Sequence, residues 1–174
     1  MATETLVKIY DTEGNFVEPT TREEAERKGL IMATIVVVLF TEEGSAWMSL
    51  RSHKKSTHRG KWDITVAGCV DADDETNLYT AKRELLEEAG LSVDLSSAGF
   101  LEFDMAENGG TVTRRPEVFA GVTSEIPVIN EDEVDGFARF PLDALRTTFN
   151  EHTELFIPKA LEEVELAAKH LGVE

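Results

Sequence analysis

Only one cysteine, Cys69, stands in the 174 residues. That excludes an internal disulfide and points to a reducing compartment, the cytoplasm. No apolar run is long enough to cross a bilayer. The longest, 31–40, includes a threonine and falls well short of the roughly 20 residues a spanning helix needs. The opening Met1-Ala2-Thr3-Glu4-Thr5 has no basic region leading into an apolar one, which argues against a secretory signal. Internal repeats, low-complexity tracts and Pro/Gly/Ser linkers are also lacking, so one domain with its own core is expected over 1–174. Positive charge is scarce: 17 Lys and Arg face 34 Asp and Glu, a net charge of −17. That argues against partners such as a nucleic-acid backbone or an anionic membrane, and favours a small-molecule ligand.

Acids are missing from one stretch in particular. Between Trp47 and Trp62 there is no Asp or Glu, while Arg51, Lys54, Lys55, Arg59, Lys61, His53 and His58 all fall there. Such a patch on an acidic protein can draw in a small anion. Taken alone it also fits a solvated basic loop.

The rest of the chain alternates strand and helix patterns. Leu6 to Tyr10 and Phe16-Val17 read as short strands around a turn at 11–15. Thr21-Arg22-Glu23-Glu24 matches a capping box and opens a helix ending near Gly29. The β-branched run 31–40 predicts a strand covered on both faces, with 46–50 as its antiparallel partner. A short strand is expected at 63–66 and a helix at 76–89. That helix would bury Leu78, Ala81, Leu85 and Ala89 and stop at Gly90. Strands at 95–105 and 111–122 would join through Glu107-Asn108-Gly109-Gly110, a hairpin signal. A strand at 136–140, a helix from Pro141 to about 147 and a helix at 156–171 follow. The last buries Leu161, Val164, Ala168 and Leu171, with Pro158 in its first turn. The sum is an α/β fold, a mixed sheet with helices packed on it.

The helix at 76–89 carries more than packing. At about 100° per residue, Glu87 and Glu88 fall on either side of Glu84, so three carboxylates share one side. Their mutual repulsion and their place near the helix C-terminus both disfavour the helix. A hard cation such as Mg²⁺ or Mn²⁺, which takes oxygen ligands, offsets that repulsion. Arg83 beside them can fix one carboxylate. Three glutamates alone would equally suit a solvated acidic face.

The wider pattern favours the metal. Gly68, Glu75 and Arg83-Glu84-Leu85-Leu86-Glu87-Glu88-Ala89-Gly90-Leu91 together resemble the Nudix box, G-x5-E-x7-R-E-U-x-E-E-x-G-U with U aliphatic, over about residues 68–91. The second half matches at every fixed position. In the first half the motif's glycine position falls on Cys69, so Gly68 stands one residue early. The resemblance implies an α/β/α sandwich with a mixed sheet, and hydrolysis of compounds in which a nucleoside diphosphate is linked to another group. It implies Glu84, Glu87, Glu88 and the Gly68 carbonyl as ligands to Mg²⁺ or Mn²⁺. Glu87 is a candidate to activate water, Arg83 orients, and Glu75 supports Arg83. Glu117, Glu131, Asp132 and Glu133 are other candidates for the base. A homodimer would fit the family.

Beyond the box, Arg51-Ser52, the basic loop to Trp62-Asp63, Val66-Ala67-Gly68, and Val134-Asp135-Gly136 through Phe140-Pro141-Leu142 look like the branch named after isopentenyl diphosphate isomerase. In that light Arg51, Lys54 and Lys55 become candidates to clamp a substrate's phosphates. The isomerases of the branch need a cysteine just before the glycine, and metal-binding histidines. Here Ala67 takes the cysteine position, Cys69 stands where a histidine is expected, and no histidine lies between Thr21 and Ile31. The expected chemistry is therefore metal-dependent cleavage of a phosphoanhydride in a nucleoside di- or triphosphate or related diphosphate. An isomerase-like enzyme and a non-catalytic nucleotide-binding module are the alternatives.

Overall fold

The computed structural model describes residues 5–107 and 110–173. The hairpin turn expected at Asn108-Gly109 lies outside them.

One strand organises the molecule. β3 (Ile31–Phe40) is almost wholly buried, as its unbroken β-branched sequence predicts. It follows β1 (Leu6–Tyr10), β2 (Phe16–Thr21) and helix α1 (Arg22–Lys28). The Thr21 hydroxyl accepts from the Glu24 N–H, and Gly29 closes the helix in a left-handed conformation, so the capping signals read from sequence hold. After β3 come β4 (Ser45–Arg51), β5 (Trp62–Asp63), β6 (Val66–Cys69) and α2 (Asn77–Ala89). Then β7 (Ser96–Phe100), β8 (Phe103–Glu107), β9 (Gly110–Val122), β10 (Val134–Pro141), α3 (Leu142–Glu151) and α4 (Ala160–Leu171) complete the chain.

β3 pairs in parallel with β9, from Met32 opposite Arg114 to Phe40 opposite Val122. It pairs antiparallel with β1 and with β6, and meets β4 at Phe40 and Ala46. The sheet is therefore mixed. Alternation along β3 divides the core in two. Val36, Val38 and Phe40 face α3 and α4, with Leu145, Val164 and Ala168. Ala33, Ile35, Val37 and Leu39 face α2, with Ala81, Leu85 and Ala89. Helices on both faces make the α/β/α sandwich that the resemblance implied.

Three elements differ from the sequence expectation. The strand expected at 63–66 is two short ones. Between them the Thr65 hydroxyl donates to the Trp47 carbonyl at 2.7 Å and accepts from the Leu39 N–H at 3.0 Å, so a side chain bridges β4 and β3 and the backbone steps from one strand to the other. The strand expected at 95–105 breaks at Leu101 and Glu102, opposite Pro116 of β9. Pro116 has no N–H to continue the ladder. The last helix starts at Ala160 rather than 156, because Phe156 and Ile157 are extended against Trp62. On α2, Leu78 is exposed and Thr80 is buried in its turn.

Candidate active site

Val70 to Thr76 links β6 to α2, and one side chain anchors this loop. Asp74 is 8% exposed. Its carboxylate accepts from the Thr80 hydroxyl at 2.7 Å, from Arg83 at 3.1 Å and from the Asp71 N–H at 3.3 Å. Burial raises its pKa, but the bonds from Thr80 and Arg83 together hold it below the ordinary value. Arg83 also meets Glu84 at 2.9 Å, Glu87 at 3.3 Å and Asp71 at 3.4 Å. Glu75, the residue expected to support Arg83, is exposed and lines a different surface groove with Phe16 and Glu117. The motif's spacing selects Glu75, whereas the structure puts the neighbouring Asp74 against Arg83. Sequence reasoning missed Asp74; its only signal there was membership of the acidic run Asp73-Asp74-Glu75.

Glu84 and Glu88 lie one turn apart on α2 and line the same cleft, of about 410 Å³, with the Gly68 backbone, Asp63, Lys55 and Arg51. Gly68 sits directly beneath Glu84. A Cβ there would come within 2.7 Å of the Glu84 carboxyl carbon, so only glycine allows the contact. Burial raises the pKa of Glu84, partly offset by Arg83. Burial, then Glu133 and Glu84, push Glu88 up to about 8. Asp63 at the cleft floor is pushed up to about 6 by burial, a second site residue that sequence reasoning did not single out. Glu87 is not brought into this group. Its side chain is 57% exposed, in a shallow groove with Lys54 and Asn130.

The basic loop between β4 and β5 is latched to the acidic loop before β10 and to the start of that strand. Lys55 pairs with Glu133, Lys54 with Asp132 at 2.9 Å, and His53 with Asp135. The Arg51 guanidinium donates to the Thr57 carbonyl at 2.9 Å and orders the loop from inside. Of the three expected phosphate contacts, Arg51 and Lys55 line the cleft and Lys54 faces outward. Of the four acids considered as base, Glu133 lines the cleft. Glu117 instead accepts from Asn77 at 2.8 Å and Ser97 at 2.7 Å in the other groove, and Glu131 and Asp132 are exposed.

Among the described residues, no three His, Cys, Asp or Glu side chains form a ready-made metal cage. Mg²⁺ does not require one. It commonly binds through one or two carboxylates, keeps several waters and uses substrate phosphates for the rest. Two crowded, half-buried carboxylates over a glycine backbone, with oxygen donors throughout, fit that habit. Cys69 also lines the cleft; it packs against a buried cluster that includes Val7, Ala25 and Met32, and burial raises its thiol pKa.

Acids from one helix and bases from a facing loop are gathered round one cleft. The sandwich that holds them is the fold of solved Nudix hydrolases. The chain belongs to the NUDIX domain family, which residues 30–160 match. Isopentenyl-diphosphate Delta-isomerase of Pectobacterium atrosepticum is 29% identical over 125 residues, covering 71% of this chain and 69% of that protein. Nudix hydrolase 3 of Arabidopsis thaliana is 26% identical over 148 residues, 79% of this chain but 19% of that longer protein. DR0079 of Deinococcus radiodurans, 17% identical, superposes with a TM-score of 0.75 over 93% of this chain and 98% of its own. The NUDIX domain of Shewanella oneidensis NrtR, solved with ADP ribose, has 18% identity and a TM-score of 0.61 over 81% and 88% of the two chains.

Proposed function

We propose that this protein hydrolyses a phosphoanhydride bond of a nucleoside di- or triphosphate or related diphosphate, with Mg²⁺ or Mn²⁺. The observation that carries the reading is the sharing of one cleft by Glu84 and Glu88 with Arg51 and Lys55. Glu84 and Glu88, with the Gly68 carbonyl, would hold the metal, while Glu87 faces a separate groove and touches this group only through Arg83. Bound there, the ion neutralises phosphate oxygens and acidifies water.

The chain's own groups do the rest. Arg51 and Lys55 bind and orient the phosphates from across the cleft. Arg83 is a positioning residue. It is fixed by Asp74 and holds the Glu84 carboxylate by a charge-assisted contact. Asp63, Asp71 and Glu133 are the other carboxylates lining the cleft, and one of them takes a proton from the attacking water.

Isomerase chemistry is disfavoured by two observations. Ala67 lines the cleft with no thiol to offer. The one thiol, Cys69, reaches the cleft wall two residues further along β6, where burial raises its pKa and so disfavours the reactive thiolate. A nucleotide-binding module without catalysis would have no use for acids crowded at a cost to the helix. A panel of nucleoside di- and triphosphates, assayed for phosphate or pyrophosphate release with Mg²⁺, tests the proposal. Release from at least one is expected, and folded, metal-loaded protein that cleaves none of them would refute it. Cytoplasmic location, a single domain over the whole chain and a homodimer remain part of this reading; no described helix is long and apolar enough to cross a membrane.

A further inference from the structure

A second cavity opens from the acidic cleft, and the mechanism above does not use it. It measures about 140 Å³, and Arg22, Arg51, Asp63 and Gly68 line both spaces. A molecule held by its phosphates at Lys55 and Arg51 can therefore extend one end into it. The strands set what that end meets. Thr34 of β3 pairs across from Cys69 of β6, and Met32 of β3 from Arg114 of β9. Alternation along the strands then puts Thr34, Cys69 and Arg114 on one face of the sheet. All three line the cavity, with His58 of the basic loop and Glu163 of α4.

Three guanidinium groups, of Arg22, Arg51 and Arg114, thus reach one small space. Arg22 and Arg114 both act on the Cys69 thiol, so their charges converge there. Glu26 pairs with Arg22 at 2.9 Å. Of the two acids on the wall, Glu163 is raised well above the ordinary carboxylate value by burial, in spite of Arg114, and stays protonated. Asp63, pushed up to about 6, is the one charged at neutral pH. The wall is therefore net positive in a protein of net charge −17. The Thr34 hydroxyl, in a residue only 6% exposed, is buried without a hydrogen-bond partner. Such groups cost stability and are rare in folded proteins. We propose that the cavity seats the terminal phosphoryl group of the substrate, held by Arg114, Arg22 and the Thr34 hydroxyl, so that the substrate is a nucleoside triphosphate rather than a diphosphate. The proposal rests on the phosphoanhydride reading for the phosphates at Arg51 and Lys55, and on the cavity's own walls for the last one.

Chemistry selects the group. Guanidinium, hydroxyl and protonated carboxyl all offer N–H or O–H donors. A phosphoryl group offers acceptors, and arginine binds it through charge-assisted bonds. Phe103, Met105 and Ile157 complete the lining; their low polarity strengthens such contacts. An alkyl chain in the same place would bury the guanidinium groups without an anion and leave the Thr34 hydroxyl unpaired. Size agrees. A cavity of about 150 Å³ takes up one benzene molecule, so 140 Å³ holds a phosphoryl group but not a nucleoside, which stays in the cleft of about 410 Å³.

The test uses the full chain and its Arg114→Gln, Arg114→Lys and Thr34→Val variants. Steady-state kinetics with Mg²⁺ would compare ATP, GTP, CTP and UTP with the corresponding diphosphates and with isopentenyl diphosphate. Wild type is expected to favour a triphosphate over the diphosphate of the same nucleoside by at least about tenfold in kcat/KM. In Arg114→Gln that ratio falls by about tenfold or more, chiefly through KM for the triphosphate, and Arg114→Lys recovers part of it. In Thr34→Val, which keeps the side-chain shape and carries the test if Arg114→Gln does not fold, it falls about threefold or more. A preference for diphosphates or for isopentenyl diphosphate, or an unchanged ratio in either folded variant, overturns the assignment. Should wild type cleave nothing, the hydrolase reading fails and calorimetry with tripolyphosphate in EDTA decides alone. Binding that weakens in Thr34→Val then supports the site, and no binding, or equal binding by both proteins, overturns it.

Discussion

Arg83 and Asp74 lie 3.1 Å apart, and through that contact the loop leaving β6 is tied to the middle of α2. Gly68 lies on β6 just before the loop, and the helix carries Glu84 and Glu88. The ion pair therefore sets the spacing between the backbone and the carboxylates proposed to hold the metal. Asp74 is nearly buried, and its other partner, Thr80, is fully so.

Removing Asp74 should therefore matter more than removing the motif's own Glu75. Asp74→Ala leaves Arg83 and the Thr80 hydroxyl short of a charged acceptor, at a cost of about 2 kcal/mol. Glu75→Ala, at an exposed position, should stay within about 0.5 kcal/mol. Urea unfolding of the two variants checks the order; the reverse order would return the supporting role to Glu75.

The crowding of Glu84 and Glu88 predicts how metal affects stability. An ion that binds only the folded chain stabilises it by mass action, about 2.7 kcal/mol at a hundred times its Kd. Mg²⁺ should raise the Tm of wild type, and Glu88→Gln should lose most of that rise while melting higher than wild type in EDTA. Differential scanning calorimetry with and without Mg²⁺ reads both effects.

The same residue fixes a pH dependence. Glu88 is pushed up to about 8 from an ordinary 4.5 by burial and then by Glu133 and Glu84. Between those values the folded chain binds more protons than the unfolded chain, so stability falls as pH rises. Asp63 and Glu163 are shifted the same way. In EDTA, Tm should drop from about pH 5 to about pH 8, and Glu88→Gln should remove part of the drop. A Tm that climbs over this range would contradict the burial of these acids.

The basic loop separates into two lysines with different prospects. Lys55 lines the cleft beside Glu133, whereas Lys54 pairs with Asp132 on the outer surface. Lys55→Ala should raise KM for a nucleoside diphosphate about tenfold, equivalent to about 1.4 kcal/mol of lost binding. Lys54→Ala should change it by less than about twofold, since exposed ion pairs are weak. Initial-rate kinetics on the two variants distinguishes them.

Much of this was legible in the sequence because the signals were local. The continuous apolar run of β3 announced a doubly covered strand, and Thr21, Gly29 and Gly90 announced helix ends through capping chemistry. Long-range contacts were not legible. Nothing local reveals that the Thr65 hydroxyl joins two strands, or that Pro116 interrupts the pairing of a strand some fifteen residues away in sequence. In the site, helical spacing put Glu84, Glu87 and Glu88 on one side, but the structure turns only Glu84 and Glu88 into the cleft. Which of Asp74 and Glu75 meets Arg83 depends on the path of a loop one residue longer than the motif. The burial of Glu163 carried no signal at all, because a glutamate in an amphipathic terminal helix reads as solvated until α4 is packed on the sheet.

The central claim is that Glu84 and Glu88 make a metal-dependent phosphoanhydride hydrolase of this chain. Phosphate or pyrophosphate release from the best nucleotide of the panel, measured with Mg²⁺ for wild type, Glu84→Gln and Glu88→Gln, tests it most directly. Turnover that needs Mg²⁺ and falls in each variant by on the order of a hundredfold or more, with the fold intact by circular dichroism, is the predicted result. Metal-independent turnover, or full activity in both variants, would contradict it.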